Sequence, residues 1–443
     1  MTDRVNESMR CTVSGVLLRE AAALVSVADM RTWFPKCAGR QVCVISREKN
    51  ELLLMAAGKD GQVEVRVPIA DVVGGDMFNQ QVDLVELKGL LGKHYVQLEF
   101  DPGERNSAGT VSKRAMLHVE DAKGDYSIHL DLVGGPDASV IKGDAGPLKP
   151  LKLKEILPKV GPPISDEDWK RIKESFRFTS SSSIRDLVRG VSFRNSNKLG
   201  WRVAMTTDGY AACKVTLGDE PWGSLLFNEG AGFTVSKRGL TMMDRARKIF
   251  AVMDTRSYGA KLPNGAEVDI LEIRGCLPSA SMRPNRVKLS VGGLVVKPPL
   301  WEKALRERRG RTMVELAVAM VKPVADAMAA ISGSLEQTVF VAVKDNELWL
   351  EMMSELEAQV TRVSKFVQRV DEPVEFHLGV KAGYLAEAFK VLKSLGVEQG
   401  RLSVTDPMSI SFVADDQAGV LIAIMPVNTA DLVPSHGVGA WKR

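Results

Sequence analysis

The sequence has few of the residues that carry metal, disulfide or redox chemistry. Its 443 residues include five cysteines and five histidines, with no CxxC pair and no HExxH-type pair. An odd number of scattered cysteines is typical of reduced thiols in the cytosol and argues against a disulfide framework or a zinc site. The sequence therefore predicts a cytoplasmic protein with no structural metal and no cofactor.

Long apolar runs are missing as well. No stretch approaches the ~18–20 apolar residues that span a bilayer, and the first residues, MTDRVNESMR, lack the apolar core of a signal peptide. A hydrophobic content of 45% and a charged content of 26% are ordinary for a soluble globular protein. The missing apolar run predicts no membrane partner. Because the chain exceeds a single core of ~250–300 residues, we expect two to four domains.

Motifs for catalysis are absent from the sequence. It contains no GxxxxGK[ST] loop, no GxSxG and no GxGxxG after a strand. The serine-rich stretch 179–185 has no nearby histidine, and the glycines of 134–146 have the wrong spacing for a phosphate loop. The adjacent Asp415 and Asp416 fit the chemistry of a turn. We therefore expect no enzyme and no small-molecule substrate.

The strongest positive signal is internal repetition. Three segments, 49–69, 196–217 and 345–363, each contain an asparagine, a charged residue and a leucine in that order. The asparagines are Asn50, Asn197 and Asn346. Each segment then alternates apolar and polar residues on both sides of a short polar corner, a pattern that predicts a β-hairpin.

The flanks of the hairpins repeat too. A helix is predicted before each hairpin. In the first, Ser14 is the N-cap and the buried positions are Leu17, Ala21, Leu24, Val25 and Ala28. In the second, Ser165 is the N-cap, Asp168 completes a capping box from the third position, and Trp169, Ile172 and Phe176 face inward. In the third, Pro323 lies in the first turn, and Met328 and Ile331 face inward. A second helix is predicted after each hairpin, at 85–94, 236–250 and 381–395. Apolar strands precede the hairpins and follow the second helices.

This order predicts an α+β fold with three copies of one domain, each with two helices packed on antiparallel sheet. Stretches rich in proline, glycine and lysine mark linkers near 143–163 and 296–311. The predicted domains are 1–145, 146–310 and 311–428, followed by a C-terminal extension, 429–443.

Three runs resemble the β sliding clamp family of bacterial DNA polymerase III. They are VRGVSF with GWRVAMTTDGYAACKV in the middle copy, YLAEAFKVLKSLGVEQGRLSVTDPMSISF in the last copy, and the closing VLIAIMPV. With the triple repeat, the likeness covers nearly the whole chain. The sequence departs from the family pattern at Tyr210, where histidine is usual, at Ala211, where arginine is usual, and in its C-terminal extension.

The resemblance implies a ring-forming DNA clamp fold, in which two head-to-tail subunits place helices around duplex DNA. Such helices need positive charge for the phosphates but no base-reading side chains. The DNA-binding residues it implies are Arg31, Lys88, Lys93, Lys170, Arg171, Lys173, Arg177, Lys237, Arg238, Arg245, Arg247, Lys248, Lys381, Lys390 and Lys393. The alternative is that these cations occupy ordinary solvated helix faces.

The resemblance also implies a hydrophobic groove in which short peptides of a DNA polymerase and a clamp loader dock. By position it would use Val188, Thr207, Gly209, Tyr210, Ala212, Met408, Met425, Pro426 and Val427. A core role for Val188 and Met425, and a turn role for Gly209, are the alternatives.

For the homodimer interface the resemblance implies Tyr126, Ile128 and Ile331, for which core packing is the alternative. The implied function is a processivity factor of DNA replication, cytoplasmic and associated with the nucleoid. Two alternatives stay open: a clamp-like ring used in repair or by a mobile element without polymerase coupling, and a monomeric scaffold that keeps only the fold.

Overall fold

A computed structural model provides the structure of the chain. It describes residues 9–28, 42–48, 50–58, 61–74, 80–83, 95–101, 114–119, 126–130, 159–161, 164–180, 190–195, 202–218, 233–261, 267–280, 287–292, 312–331, 338–344, 347–353, 360–366, 369–370, 376–406, 409–414 and 419–427. Within these residues the structure is mixed α+β, and every strand pairing is antiparallel.

The strands fall into three sets in chain order. The first set is β1 (Met9–Ser14), β2 (Val42–Glu48), β3 (Glu51–Gly58), β4 (Gly61–Val73), β5 (Gln80–Asp83), β6 (Tyr95–Asp101), β7 (Arg114–Val119) and β8 (Tyr126–Leu130). The second is β9 (Lys159–Gly161), β10 (Gly190–Asn195), β11 (Arg202–Thr207), β12 (Ala211–Leu217), β13 (Phe233–Ser236), β14 (Ala251–Lys261), β15 (Glu267–Cys276) and β16 (Val287–Gly292). The third is β17 (Thr312–Ala317), β18 (Thr338–Lys344), β19 (Glu347–Met353), β20 (Val360–Phe366), β21 (Arg369–Val370), β22 (Phe376–Lys381), β23 (Gln399–Asp406), β24 (Ser409–Ala414) and β25 (Val420–Ile424).

Five helices of ten or more residues are described among these strands. They are α1 (Gly15–Val25), α2 (Asp166–Ser175), α3 (Lys237–Ala246), α4 (Val318–Ile331) and α5 (Ala382–Ser394). None of the described helices is long and apolar enough to cross a membrane.

The chain divides into two compact units. The first contains Met1–Pro163, Pro221–Leu226 and Arg238–Val295, and its sheet runs β8-β7-β6-β1-β4-β16-β15-β14-β9, with β2, β3 and β5 attached through β4. The second contains the remaining residues. It holds one sheet in the order β13-β10-β11-β12-β25-β24-β23-β17-β21 and another in the order β20-β19-β18-β22.

The same strand arrangement occurs three times. The hairpin strands pair as β3 with β4, β11 with β12 and β19 with β20, which confirms the three predicted hairpins. Each set also forms a second block of three strands: β6-β7-β8, β14-β15-β16 and β23-β24-β25. In each set, the first strand of this block pairs with the first strand of the set. The bounds of the three predicted domains remain predictions.

Consecutive sets join edge to edge through backbone hydrogen bonds. In the first unit β4 pairs with β16, with Val63 opposite Leu289. In the second unit β12 pairs with β25, with Cys213 opposite Ile422. In both junctions the second hairpin strand of one set meets the last strand of the next. The side chains that alternate inward along these strands are buried, as for Val63, Leu289 and Ile422.

The helix starts follow their caps. The Ser14 hydroxyl accepts from Leu17 N and the Ser165 hydroxyl accepts from Asp168 N, as predicted. The predicted inward residues Leu17, Ala21, Leu24, Val25, Ala28, Trp169, Ile172 and Met328 are buried.

Three details of the helix predictions were wrong. Pro323 lies inside α4 rather than in its first turn, because burial of Val318 and Val321 extends the helix towards its N-terminus. Helix α2 ends at Ser175, and a 3₁₀ turn then buries Phe178 while Phe176 is only half-buried. The Asp168 carboxylate accepts from Gly218 N, 2.7 Å away, instead of answering the cap.

The remaining helix predictions have mixed outcomes. The helices at 236–250 and 381–395 are confirmed as α3 and α5. The helix predicted at 85–94 lies outside the described residues, and so does the side chain of Ile331.

Candidate functional site

The centre of the candidate site is the corner of the β11–β12 hairpin. One Asp208 carboxylate oxygen accepts from the backbone N–H groups of Tyr210 and Ala211, both at 2.9 Å. The Thr207 hydroxyl donates to Ala211 O and accepts from Gly209 N. Gly209 has a φ of 100°, which favours glycine. Asp208 and Gly209 therefore fix the geometry of a turn and leave Tyr210 projecting from it.

Strand β25 brings a second segment against this corner. Ala212 is opposite Ala423 in the β12–β25 pairing, and Met425 N donates to Tyr210 O at 2.8 Å. Two residues further on, Val427 N donates to Gly379 O in β22, also at 2.8 Å. The chain after β25 is thus held by backbone hydrogen bonds on both sides.

A small apolar cluster forms the floor beside the corner. Directly paired residues of an antiparallel sheet share a face, and here Met205, Leu421 and Val203 cluster with Ala212 and Ala423. The opposite face of β11 meets α2, where the buried Thr206 hydroxyl donates to Ser175 O at 2.7 Å. Helix packing on one face leaves the other face to carry the site.

Two large apolar side chains remain accessible at the rim. Tyr210 and Met425 are each 56% exposed, while Pro426 and Val427 are half-buried. Exposed apolar side chains that adjoin an apolar floor are suited to contact with another chain. We call the described residues Thr207, Gly209, Tyr210, Ala212, Met425, Pro426 and Val427 the groove.

The structure thus brings together most of the residues predicted for a peptide pocket. Val188 and Met408 lie outside the described residues. Ala212 is buried in the apolar cluster, and Met425 is exposed rather than part of the core.

Two residues at the start of helix α5, its N-cap Lys381 and Tyr384, join the site although sequence reasoning did not place them there. The Lys381 ammonium lies 4.8 Å from the centroid of the Tyr210 ring, within the range of a cation–π contact. Tyr384 donates its hydroxyl proton to the second Asp208 carboxylate oxygen. Lys381 was predicted as a helix cation for DNA, but it stands at the N-cap of α5 beside the groove. No local pattern in the sequence indicates either contact.

The predicted cations on α2 differ in their exposure. Lys170 and Lys173 are exposed. Arg171 pairs with Glu167 at 3.1 Å, and its guanidinium also donates to the Thr216 carbonyl.

Arg177, in the turn that follows α2, bridges two carboxylates. It lies 2.7 Å from Glu174 and 3.0 Å from Glu387 of α5. Burial lowers the pKa of Arg177, but the hydrogen bonds and charges of these two carboxylates outweigh burial and raise it above its usual value.

The cations of α3 and α5 show the same division. Arg238, Arg245 and Lys393 are exposed and Lys237 is half-buried. Arg247 and Lys248 both pair with Asp244, at 3.5 and 3.3 Å, and Lys390 pairs with Glu387 at 3.1 Å. A DNA role for all of these residues stays a prediction.

Several other predicted residues lie wholly or partly outside the described structure. Arg31, Lys88 and Lys93 lie outside the described residues. Of the predicted interface residues, Tyr126 and Ile128 belong to β8 and their side chains lie outside the described set.

Three cysteines whose side chains the structure describes are buried free thiols: Cys11, Cys213 and Cys276. Burial raises the pKa of Cys11 to about 11, against a smaller opposing effect of Arg47, and it raises the pKa of Cys213 still more, with a further contribution from Glu174. Among the described residues, no group of three or more His, Cys, Asp or Glu side chains could hold a metal ion.

Solved structures similar to this chain include bacterial DNA polymerase sliding clamps. A DNA polymerase sliding clamp from Caulobacter crescentus matches with a TM-score of 0.70 at 17% identity, covering 95% of this chain and 100% of its own. The chain has the fold of the bacterial sliding clamp.

Two further structures agree with that fold. The DNA polymerase III beta subunit of Pseudomonas aeruginosa aligns with a TM-score of 0.66 at 15% identity, covering 95% of this chain and 99% of its own. The beta subunit of Thermotoga maritima gives 0.66 at 12% identity, with 95% and 100% covered. No protein-family profile and no curated protein sequence matches the chain. The sliding-clamp fold is therefore recognised from its three-dimensional arrangement at very low sequence identity.

Proposed function

We propose that this chain is a DNA sliding clamp. Two chains would close head to tail into a ring around duplex DNA, and the groove would tether a DNA polymerase, a clamp loader and other replication or repair proteins. The observation that carries the proposal is the clamp fold over 95% of the chain, together with its edge-to-edge strand junctions.

The strand order supports ring closure by one repeated rule. The second hairpin strand of one set pairs with the last strand of the next, as β4 with β16 and β12 with β25. Applied once more, the rule would pair β20 with β8 of another chain. In the described strand order β20 pairs only with β19, and β8 pairs only with β7. Both edges are therefore available for strand addition.

The cations support contact with the DNA backbone. Lys170, Arg238, Arg245 and Lys393 project exposed from three helices. Lysine and arginine bind phosphates without reading bases, which suits a protein that must move along DNA.

The groove supports peptide docking. A solvent-accessible Tyr210 and Met425 beside a buried apolar floor would accept a short segment with leucine or phenylalanine anchors. A Caulobacter crescentus clamp with the same fold holds polyethylene glycol in the region proposed to tether the beta motif. We assign the same role to the groove here.

Light scattering and DNA retention test the ring. We expect a particle of about 97 kDa, two chains of 48.3 kDa each. After loading, the protein should stay on closed circular DNA at high salt and slide off linear DNA. A 48 kDa particle, or retention that falls with salt equally on both DNAs, would favour a scaffold that binds by ordinary electrostatics.

A further inference from the structure

Lys381 occupies an unusual place for a lysine at the start of a helix. It ends β22 and stands at the N-cap of α5, where its side chain makes no capping hydrogen bond. The side chain is half-buried and its ammonium lies over the Tyr210 ring. Within the part of the chain that the structure describes, no carboxylate forms an ion pair with it. Among the described residues, the contact recorded for its charge at the rim of the groove is the Tyr210 ring.

The carboxylate of the neighbouring corner is engaged elsewhere. One oxygen of Asp208 accepts from the N–H groups of Tyr210 and Ala211, and the other accepts from the Tyr384 hydroxyl. These three hydrogen bonds hold Asp208 in the turn. The positive charge of Lys381 is thus left for a group that arrives with a ligand.

Tyr210 also contacts the apolar part of the rim. The Tyr210 backbone accepts from Met425 N, and both side chains are more than half exposed. An apolar residue packed on Tyr210 and Met425 would place its sequence neighbour beside the Lys381 ammonium. A negative neighbour would complete an ion pair and also retain the cation–π contact.

We infer that Lys381 selects partner peptides in which an aspartate or glutamate side chain adjoins the apolar anchor that binds Tyr210 and Met425. The inference rests on the proposed docking function of the groove and names the chemistry of its partner. Lys381 acts as a specificity-determining residue within that groove.

Fluorescence anisotropy with matched peptides tests the inference. The probes are labelled octapeptides, acetylated and amidated so that only side chains carry charge. One pair contains Asp-Leu-Phe or Asn-Leu-Phe between serine and glycine residues, and a second pair contains Leu-Phe-Asp or Leu-Phe-Asn. The proteins are the full chain, Lys381→Gln, Met425→Ala and the control Lys393→Gln, which removes an exposed lysine from the other end of α5.

We expect the wild-type chain to bind one acidic peptide about five-fold more tightly than its asparagine twin at low salt. The preference should vanish in Lys381→Gln, persist in Lys393→Gln, and shrink in 0.5 M salt. Because Lys381 makes no capping bond, its replacement should leave the circular dichroism spectrum unchanged.

The opposing outcomes separate the two proposals. Equal binding of acidic and neutral peptides, with affinity lost in Met425→Ala, would keep the groove and overturn the role of Lys381. No binding of any peptide by any variant would overturn the docking function itself. Residues 431–433 of this chain read Asp-Leu-Val, so the full-length variant Leu432→Ser is measured as well. If this variant binds the peptides and the wild-type chain does not, the chain's own C-terminal segment occupies the groove. That result would overturn the proposal of a partner peptide.

Discussion

Tyr384 donates a hydrogen bond from its phenolic hydroxyl to the carboxylate of Asp208, and so joins helix α5 to the corner of the β11–β12 hairpin. The same carboxylate holds the backbone of the corner. Removing only the hydroxyl tests how far this contact fixes the groove.

Tyr384→Phe should lower the free energy of unfolding by about 1–2 kcal/mol, because it removes a hydrogen bond to a charged group. It should also weaken binding of a leucine- and phenylalanine-containing peptide several-fold, because Tyr210 would be held less firmly. Urea unfolding and fluorescence anisotropy measure the two effects. Unchanged peptide affinity together with lower stability would mean that the contact is purely structural.

The β4–β16 junction contains a glycine that tolerates no side chain. A Cβ added to Gly61 would meet the Ser290 carbonyl oxygen and the Met242 side chain. Gly61→Ala should therefore destabilise the chain by about 1–3 kcal/mol. Gly292→Ala is the matched control on β16, because its added Cβ would meet no atom of the described residues within 4 Å. Thermal unfolding of the two variants should differ clearly, and equal melting temperatures would contradict the tight approach of the strands.

Charge on α3 can be tested one residue at a time. Arg245→Gln should weaken DNA retention and reduce the slope of log affinity against log salt by about 1, the effect of one lost phosphate contact. Arg401→Gln, which removes a cation that pairs with Glu315 between strands β23 and β17, serves as the control. The triple change of Arg245, Arg247 and Lys248 to glutamate should abolish retention on DNA but leave the two-chain particle seen by light scattering intact. Loss of the dimer in that variant would place these residues in an interface.

The buried thiol of Cys11 should make the folded chain less stable at high pH. Burial raises the pKa of its thiol to about 11 in the folded chain, whereas an exposed thiol titrates near 9. The folded state therefore binds the proton more tightly, so stability is fully present below pH 9 and falls between pH 9 and about 11. Relative to Cys11→Ala, the wild-type chain should lose about 2 kcal/mol across this window in urea unfolding. Parallel pH profiles of the two proteins would show that the thiol is not buried in solution.

Local patterns in the sequence were enough to find the repeated units. Ser14 and Ser165 cap helices as their positions indicate, since a cap depends on residues only three apart. The hairpins were found because alternation and a polar corner lie within about twenty residues. Strand β14 was missed, because its mixture of polar residues and glycine gives no alternating signal, although it pairs with β15 along ten positions.

Contacts between distant segments were beyond such patterns. Asp168 accepts from Gly218 because helix α2 packs on β12. Lys381 lies over Tyr210 where the segment after β25 is hydrogen-bonded to both the hairpin corner and β22. Pro323 was placed in a first turn because an interior proline ordinarily costs a helix about 3 kcal/mol. Burial of Val318 and Ala325 outweighs that cost here. The groove residues themselves came from resemblance to known clamps, while their cationic rim came only from the structure.

Strands β8 and β20 come from the first and third sets of strands and differ in sequence, so an assembly built from them has two different faces. If two chains close through these edges, the rotation that relates them leaves both copies of Tyr210 on the same side of the ring. A protein held there would always face one way along the double helix. The two unlike edges would thereby fix the orientation of a bound protein along the DNA through symmetry alone, without a chemical step.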